Sequence, residues 1–246
     1  MTSPTSPALR GAERTALVTG GNRGIGLAIS LALREAGCRV IVGCRSGAAP
    51  QGLEAVPLEV TQTASVDAAF DAVTQLTGGP VEVLVANAGI AKDQLLMRLS
   101  DDDLDSVLDT NLGGAIRCAR RASKGMIRLK RGRLIFVSSV VGLYGSAGQV
   151  NYAASKSGLV GVARSISREL GGRGITANVV APGFIDTAMT EGLPEDLKKK
   201  YRAAIPAGRF GTVDEVAAAV NFLASPQASY ITGAVLPIDG GLGMGN

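Results

Sequence analysis

The chain has 246 residues, 46% of them apolar and 19% charged, a length that suits one large α/β domain with a sizeable core. No apolar run reaches the length needed to span a bilayer, so the expectation is a cytoplasmic protein with no membrane partner. The net charge of +4 is small for this length and aromatics are only 4%, which argues against nucleic-acid binding on a stacking platform.

Residues 1–14, "MTSPTSPALRGAER", have no apolar core that would make them a secretory signal, and read as a flexible tail before a domain at 15–246. From there short apolar runs alternate with stretches of helical period. Thr15 to Thr19 predicts a strand and Ile25 to Ala36 a helix that stops at Gly37. Strands follow at Arg39 to Cys44 and Ala55 to Val60, then a helix at Ala64 to Leu76 ending before Gly78, and a strand at Val81 to Ala86. Ser100 caps a helix whose first turn, Asp101 to Asp103, suits the positive end of the dipole. After a strand at Arg133 to Val137, a helix carries Leu159, Val162, Ile166 and Leu170 on one stripe and stops at Gly171. Thr176 to Ala181 and Ala234 to Ile238 complete about seven strands. Several strands are apolar on both faces, as in a sheet between two helix layers. Right-handed crossovers make this a single-domain, Rossmann-like doubly wound parallel sheet with helices on both faces.

The segment 187–210 interrupts the alternation with one short helical stretch, Leu193, Leu197, Tyr201 and Ala204 lying roughly on one side. It is either a lid or a surface helix with a solvated Lys198 to Lys200 face. Its place after a strand's carboxyl end, where such sheets bind ligands, favours the lid. The three cysteines, Cys38, Cys44 and Cys118, have neither CxxC spacing nor a companion histidine, so no metal site or disulfide framework is indicated.

"ALVTGGNRGIGLAIS" runs from the first strand through a glycine turn into the first helix, spaced Gly20-x-x-x-Gly24-x-Gly26. Missing side chains let backbone N–H groups and a helix N-terminus approach a pyrophosphate, although glycines also serve turns that bind nothing. An NAD site places a carboxylate at the end of the second strand, whereas this chain has Gly43, Cys44 and Arg45 there. Arg45 and Arg23 instead offer a clamp for a 2′-phosphate, which predicts NADP over NAD.

"VNYAASKSG" sets Tyr152 and Lys156 one turn apart on a helix face, in a chain without histidine. Such pairs are common and by themselves mean little. Here Ser138 and Ser139 end the preceding strand, thirteen residues before the tyrosine. A free phenol has a pKa of about 10, and a neighbouring ammonium, together with the positive nicotinamide of an oxidised cofactor, lowers it toward neutrality, giving an acid–base group without histidine.

These motifs resemble the short-chain dehydrogenase/reductase family: "TGGNRGIG" at Thr19 to Gly26, "NAG" at Asn87 to Gly89, Asn111, Ser139 with "YAASK" at Tyr152 to Lys156, and "PGFIDT" at Pro182 to Thr187. The resemblance implies that Tyr152 is the general acid in reduction, that Ser139 hydrogen-bonds the substrate carbonyl, and that Lys156 holds the ribose and lowers the Tyr152 pKa. Asn111 would anchor a water that resupplies the proton. The cofactor would touch Gly20, Asn22, Arg23, Gly24, Ile25 and Gly26, then Arg45, then Glu59 and Val60 at the adenine. Asn87, Ala88 and Gly89 would line it, Tyr152 and Lys156 would meet the ribose, and Pro182, Gly183, Ile185 and Thr187 would flank the carboxamide. Glu59 stands where the family usually has Asp.

Within the family, "SSVVGLYGSAGQVNYAASKSGLVG" and "FLASPQASYITGAVLPIDGGLGMG" look like 3-oxoacyl-acyl-carrier-protein reductases, and closer still like the mycobacterial and actinobacterial branch acting on long acyl chains. That likeness implies a homotetramer, fatty-acid synthesis as the setting, and an acidic carrier as partner. Leu143 and Tyr144 follow the serine loop where an acyl chain would lie, though a structural aromatic fits as well. Lys130 and Arg173 read either as a docking patch for the carrier or as ordinary solvated loops. The rivals are a relative acting on acetoacetyl coenzyme A, a polyketide or another ketone, and a non-catalytic NADP-binding protein.

Overall fold

In the computed structural model, which describes residues 13–48, 50, 52–187, 192 and 194–244, side chains on successive strand positions pass to opposite faces of one sheet. Leu17, Ile41, Leu84, Leu134 and Phe136 face one helix layer. Ala16, Val18, Val83, Val85, Ile135 and Val137 face the other. Both faces are dry, which is why these strands are apolar throughout, and each fully buried large side chain contributes about 1.5–3 kcal/mol.

The strands are β1 (Thr15–Thr19), β2 (Arg39–Cys44), β3 (Glu54–Pro57), β4 (Val83–Ala86), β5 (Gly132–Val137), β6 (Ile175–Pro182) and β7 (Val235–Ile238). They form one parallel sheet of order β3-β2-β1-β4-β5-β6-β7. Helices α2 (Thr63–Thr77), α4 (Gly114–Leu129) and α6 (Val150–Leu170) cover the first face, through Phe70, Met126 and Leu159 among others. Helices α1 (Gly24–Glu35) and α8 (Val213–Ala224) cover the second, through Ile29, Leu33, Val220 and Leu223. The short helices α3 (Asp101–Leu108), α5 (Val141–Tyr144) and α7 (Glu195–Ala204) lie in the connections. Among the described residues no helix is long and apolar enough to cross a membrane.

Strand order reverses between β1 and β4, and a crevice opens at such a switch point. The helix stops are as expected: Gly78 closes α2 in the left-handed region, and Ser100 Oγ accepts from the Asp103 amide at 3.2 Å. β4 begins at Val83 rather than Val81, β3 differs more, and neither α4 nor the turn before it is among the expected elements. The edge strand β3 ends at Pro57 rather than Val60, because the chain turns there while Leu58 and Val60 stay buried as loop residues. Between α3 and α4 the helix does not stop but widens into a π-turn, Asp109–Gly113. This turn carries Asn111 inward.

Residues 1–12 of the expected tail, and residues 188–191 and 193 of the expected lid, lie outside the described residues. The remainder of 187–210 packs on the carboxyl end of β6. Phe184 stacks on Tyr201 with ring centroids 4.2 Å apart, and Phe210 closes the stack at 5.6 Å. Leu197 and Tyr201 of α7 are half-buried, whereas Ala204 turns to solvent rather than joining their side.

Candidate active site

The glycine turn leaves β1 at the switch point. Gly20 has φ +64° and Gly24 φ +51°, a region that L side chains disfavour. A Cβ on Gly26 would stand 2.2 Å from the Gly20 carbonyl oxygen and 2.6 Å from Asn87 Nδ2, so only glycine lets α1 pack against the turn. A Cβ on Gly24, by contrast, would meet no protein atom within 4 Å. Backbone and the α1 N-terminus thus face open space, as a pyrophosphate site requires.

The "NAG" stretch is tied to this turn. Thr19 Oγ1 accepts from the amides of Asn87 (3.0 Å) and Ala88 (2.9 Å), and Asn87 Nδ2 donates to the carbonyls of Thr19 (3.1 Å) and Gly20 (3.2 Å). Ser30 Oγ bonds back to the Gly26 carbonyl at 2.8 Å. Thr19 and Ser30 were not singled out from sequence; the signal was a hydroxyl at a strand end and another one turn into the helix. Gly89 is wedged between Asn111 and Lys156: a Cβ there would stand 3.1 Å from Asn111 Oδ1 and 3.4 Å from Lys156 Nζ.

At the carboxyl end of β2, Arg45 is exposed, as is Arg23 at the N-cap of α1, with Asn22 and Ile25 half-buried beside it. Glu59 is engaged within its own loop through Oε1. Its carboxylate accepts from the Thr61 amide (3.1 Å) and hydroxyl (2.9 Å), and so fastens the loop into α2. Val60 is buried against Gly114. Pro182 ends β6 and its carbonyl accepts from the Val140 amide at 2.9 Å. Gly183 lies over Asp239, and Ile185 bridges Gly211, with Thr187 two residues beyond.

The proton-transfer residues converge on the carboxyl end of β5. Tyr152 lies in the first turn of α6, its phenol near enough to the Ser139 hydroxyl for that group to pull its pKa down. Ser139 Oγ also accepts from the Val141 amide at 3.2 Å. Lys156 is buried, its Nζ donates to the Val137 carbonyl at 2.8 Å, and it stands 5.6 Å from the Tyr152 ring centroid. Burial pulls its pKa down to about 8. Gly142 lies so close that a Cβ there would stand 2.9 Å from Lys156 Cβ, and Ser138 Oγ donates to the Lys156 carbonyl at 2.9 Å. Asn111 is held by Ile90: its Oδ1 accepts from the Ile90 amide (2.8 Å) and its Nδ2 donates to the Ile90 carbonyl (2.9 Å).

One expectation needs correction. The Tyr152 phenol is not brought down by Lys156 in the protein alone: burial pushes it above the usual tyrosine value, the Ser139 hydroxyl pulls the other way, and the Asp93 carboxylate adds to the rise. Lys130 and Arg173 do come together, both exposed, around Gly174, whose Cβ position lies 2.5 Å from the Lys130 carbonyl oxygen. They sit, however, at the amino end of β5 and β6, about 20 Å along β5 from Ser139. Their neighbours are structural: Arg131 pairs with Glu82, Arg133 is half-buried, and Lys130 itself caps α4 with φ +53°.

Comparison with known proteins agrees with this geometry. The sequence model of the family described as enoyl-(acyl carrier protein) reductase matches residues 20–243. The 3-oxoacyl-[acyl-carrier-protein] reductase MabA of Mycobacterium tuberculosis (strain ATCC 25618 / H37Rv) is 54% identical over 234 residues, 95% of this chain and 94% of the relative. MabA of Mycobacterium avium is 52% identical over 95% of this chain and 91% of its own length. The 3-oxoacyl-[acyl-carrier-protein] reductase FabG of Escherichia coli (strain K12) is 43% identical over 94% and 98%.

Proposed function

Because the chain belongs to the short-chain dehydrogenase/reductase family, we propose that it reduces the ketone of 3-oxoacyl-acyl-carrier-protein to the 3-hydroxyacyl thioester, with NADPH, in fatty-acid biosynthesis. The observation that carries this reading is the Ser139, Tyr152, Lys156 and Asn111 cluster, set beside the glycine turn across Gly89. The names of the relatives favour a ketone over the enoyl substrate in the family's description.

NADPH, when bound, supplies the hydride to the ketone carbon. Tyr152 delivers its proton to the oxygen that becomes an alkoxide. Its raised pKa keeps that proton in place at neutral pH, ready for a strong acceptor. The Val141 amide donates to Ser139 Oγ and leaves the hydroxyl proton free to turn to the same oxygen, where it stabilises the charge as it forms. The buried Lys156 ammonium favours the phenolate left behind. Asn111, inside the π-turn, orders the route by which that proton is replaced. Gly20, Gly24 and Gly26 receive the pyrophosphate, while Arg23 and Arg45, with no carboxylate at the end of β2, select the 2′-phosphate.

The assembly on this reading is a homotetramer. Exposed Phe222, Tyr230 and Leu236 near β7, and Ile116 on α4, supply apolar surface for it. Carrier docking at Lys130 and Arg173 then serves another copy's site, since these residues lie at the far end of their own sheet. Charge reversal at both positions should slow carrier-linked turnover at low salt and leave coenzyme A thioesters unaffected. The main test follows NADPH consumption with 3-oxoacyl and trans-2-enoyl thioesters, NADH in parallel. Turnover of the 3-oxo substrate with NADPH supports the reading; turnover of the enoyl substrate alone, or equal use of NADH, overturns its substrate or cofactor half.

A further inference from the structure

The Asn111 amide has a third partner. Its Nδ2 donates not only to Ile90 but also, at 3.0 Å, to Ser155 Oγ, and Ser155 Oγ donates in turn to the Tyr152 carbonyl at 2.7 Å. Ser155 has no exposed surface at all. A helical serine bonding back three or four residues is ordinary, and Ser30 and Ser167 do the same. Unlike Ser30, Ser155 takes its second bond from a side chain on a different element, where water cannot replace a lost partner.

We infer that Ser155 is a positioning residue for proton transfer, joining the Ile90–Asn111 clamp to the turn of α6 that bears Tyr152. The inference rests on the proposed reductase reading and adds a residue to it. Hydrogen bonds run without a break from the Ile90 backbone through Asn111 and Ser155 to the Tyr152 backbone. The loop that leaves β4, with Gly89 at its start, and the proton donor are thereby held in one frame. Three other ties reach this turn: Ser138 Oγ to the Lys156 carbonyl, Lys156 Nζ to the Val137 carbonyl, and Asn151 Nδ2 to the Lys92 carbonyl at 3.0 Å. None reaches Asn111. Removing the Ser155 hydroxyl leaves α6 folded but strands one buried Asn111 proton and loosens the phenol relative to the Gly89 wall.

The test compares Ser155→Ala and Ser155→Thr with wild type in three measurements: the ring-carbon resonance of Tyr152 in protein labelled with 13C-tyrosine, NADPH binding by fluorescence, and turnover across pH. In Ser155→Ala the Tyr152 resonance should move while those of Tyr144, Tyr201 and Tyr230 hold. NADPH binding should stay within about twofold, and kcat per NADPH site should fall about tenfold with a displaced pH profile. Ser155→Thr, which keeps the hydroxyl, should recover most of kcat. Ser155→Ala combined with Asn111→Ala should be no slower than Asn111→Ala alone. An unmoved Tyr152 resonance, an unchanged kcat per site, or equal losses in the Ala and Thr variants would overturn the role. If Ser155→Ala does not fold, Ser155→Cys takes its place, with a larger loss expected than in Ser155→Thr and an equal one counting against. Wild-type protein that consumes no 3-oxoacyl thioester defeats the substrate reading alone, because the tyrosine resonance reports without turnover.

Discussion

The two walls of the cleft differ in how far the chain alone has completed them. On the glycine wall, Thr19, Ser30 and Asn87 pair the inward-facing amides and carbonyls with one another, and Gly26 lets them close up. On the proton-transfer wall, the Tyr152 phenol is held neutral by burial, and the Lys156 ammonium leans on the Val137 carbonyl. The contrast teaches where each property comes from. A cradle of backbone is set by covalent geometry and φ angles, whereas a protonation state answers to whatever charge enters the cleft.

The sharpest break between the walls is Tyr152→Phe, which should lower turnover by about 10³-fold or more while NADPH binding stays within about twofold. Gly26→Ala should do the reverse. A methyl placed 2.2 Å from the Gly20 oxygen should weaken NADPH binding at least about tenfold and lower Tm, while Gly24→Ala, which meets no protein atom, costs the fold only its backbone strain of about 1 kcal/mol and weakens NADPH binding by entering the space left for the pyrophosphate. Next comes Arg45→Ala, for which the ratio of NADPH to NADH efficiency should fall about tenfold with little change in Tm. Thr19→Val strands two half-buried amides, and urea unfolding should register about 1–2 kcal/mol.

The smallest effect sharpens the comparison from the other wall. Below pH 8 Lys156 is charged in folded and unfolded chains alike, so its burial penalty is fully felt. Between about 8 and its ordinary 10.5, the unfolded chain keeps the proton and the folded chain sheds it, so stability of the ligand-free protein rises with pH. Lys156→Met should abolish turnover, raise the unfolding free energy at pH 7 by about 1 kcal/mol, and flatten that rise. Urea titrations at pH 7, 9 and 10 on both proteins measure it.

Much of this was legible in the sequence. Strand and helix alternation, Gly20 to Gly26, and Ser139 with Tyr152 and Lys156 follow from periodicity and chemistry carried by single residues. Leu58 and Val60 misled because an apolar side chain records burial, which a loop tucked under α4 provides as well as a strand. Thr19 and Ser155 stayed hidden because their partners lie 68 and 44 residues away. The pKa of Tyr152 was misjudged for a related reason: spacing reveals a neighbouring ammonium but not how thoroughly both groups are removed from water.

The π-turn at 109–113 has a consequence for length. One surplus residue in a helix rotates everything after it by about 100°, so α3 and α4 are one rod whose two ends have been twisted out of phase. Deleting a single residue there would restore an unbroken α-helical ladder, a locally comfortable outcome, and would swing either Asn111 or the α4 face with Ala119 and Met126 off its target. The chain therefore holds its Asn111 by a count of residues as much as by a side chain, and a shorter, more regular helix would be the poorer enzyme.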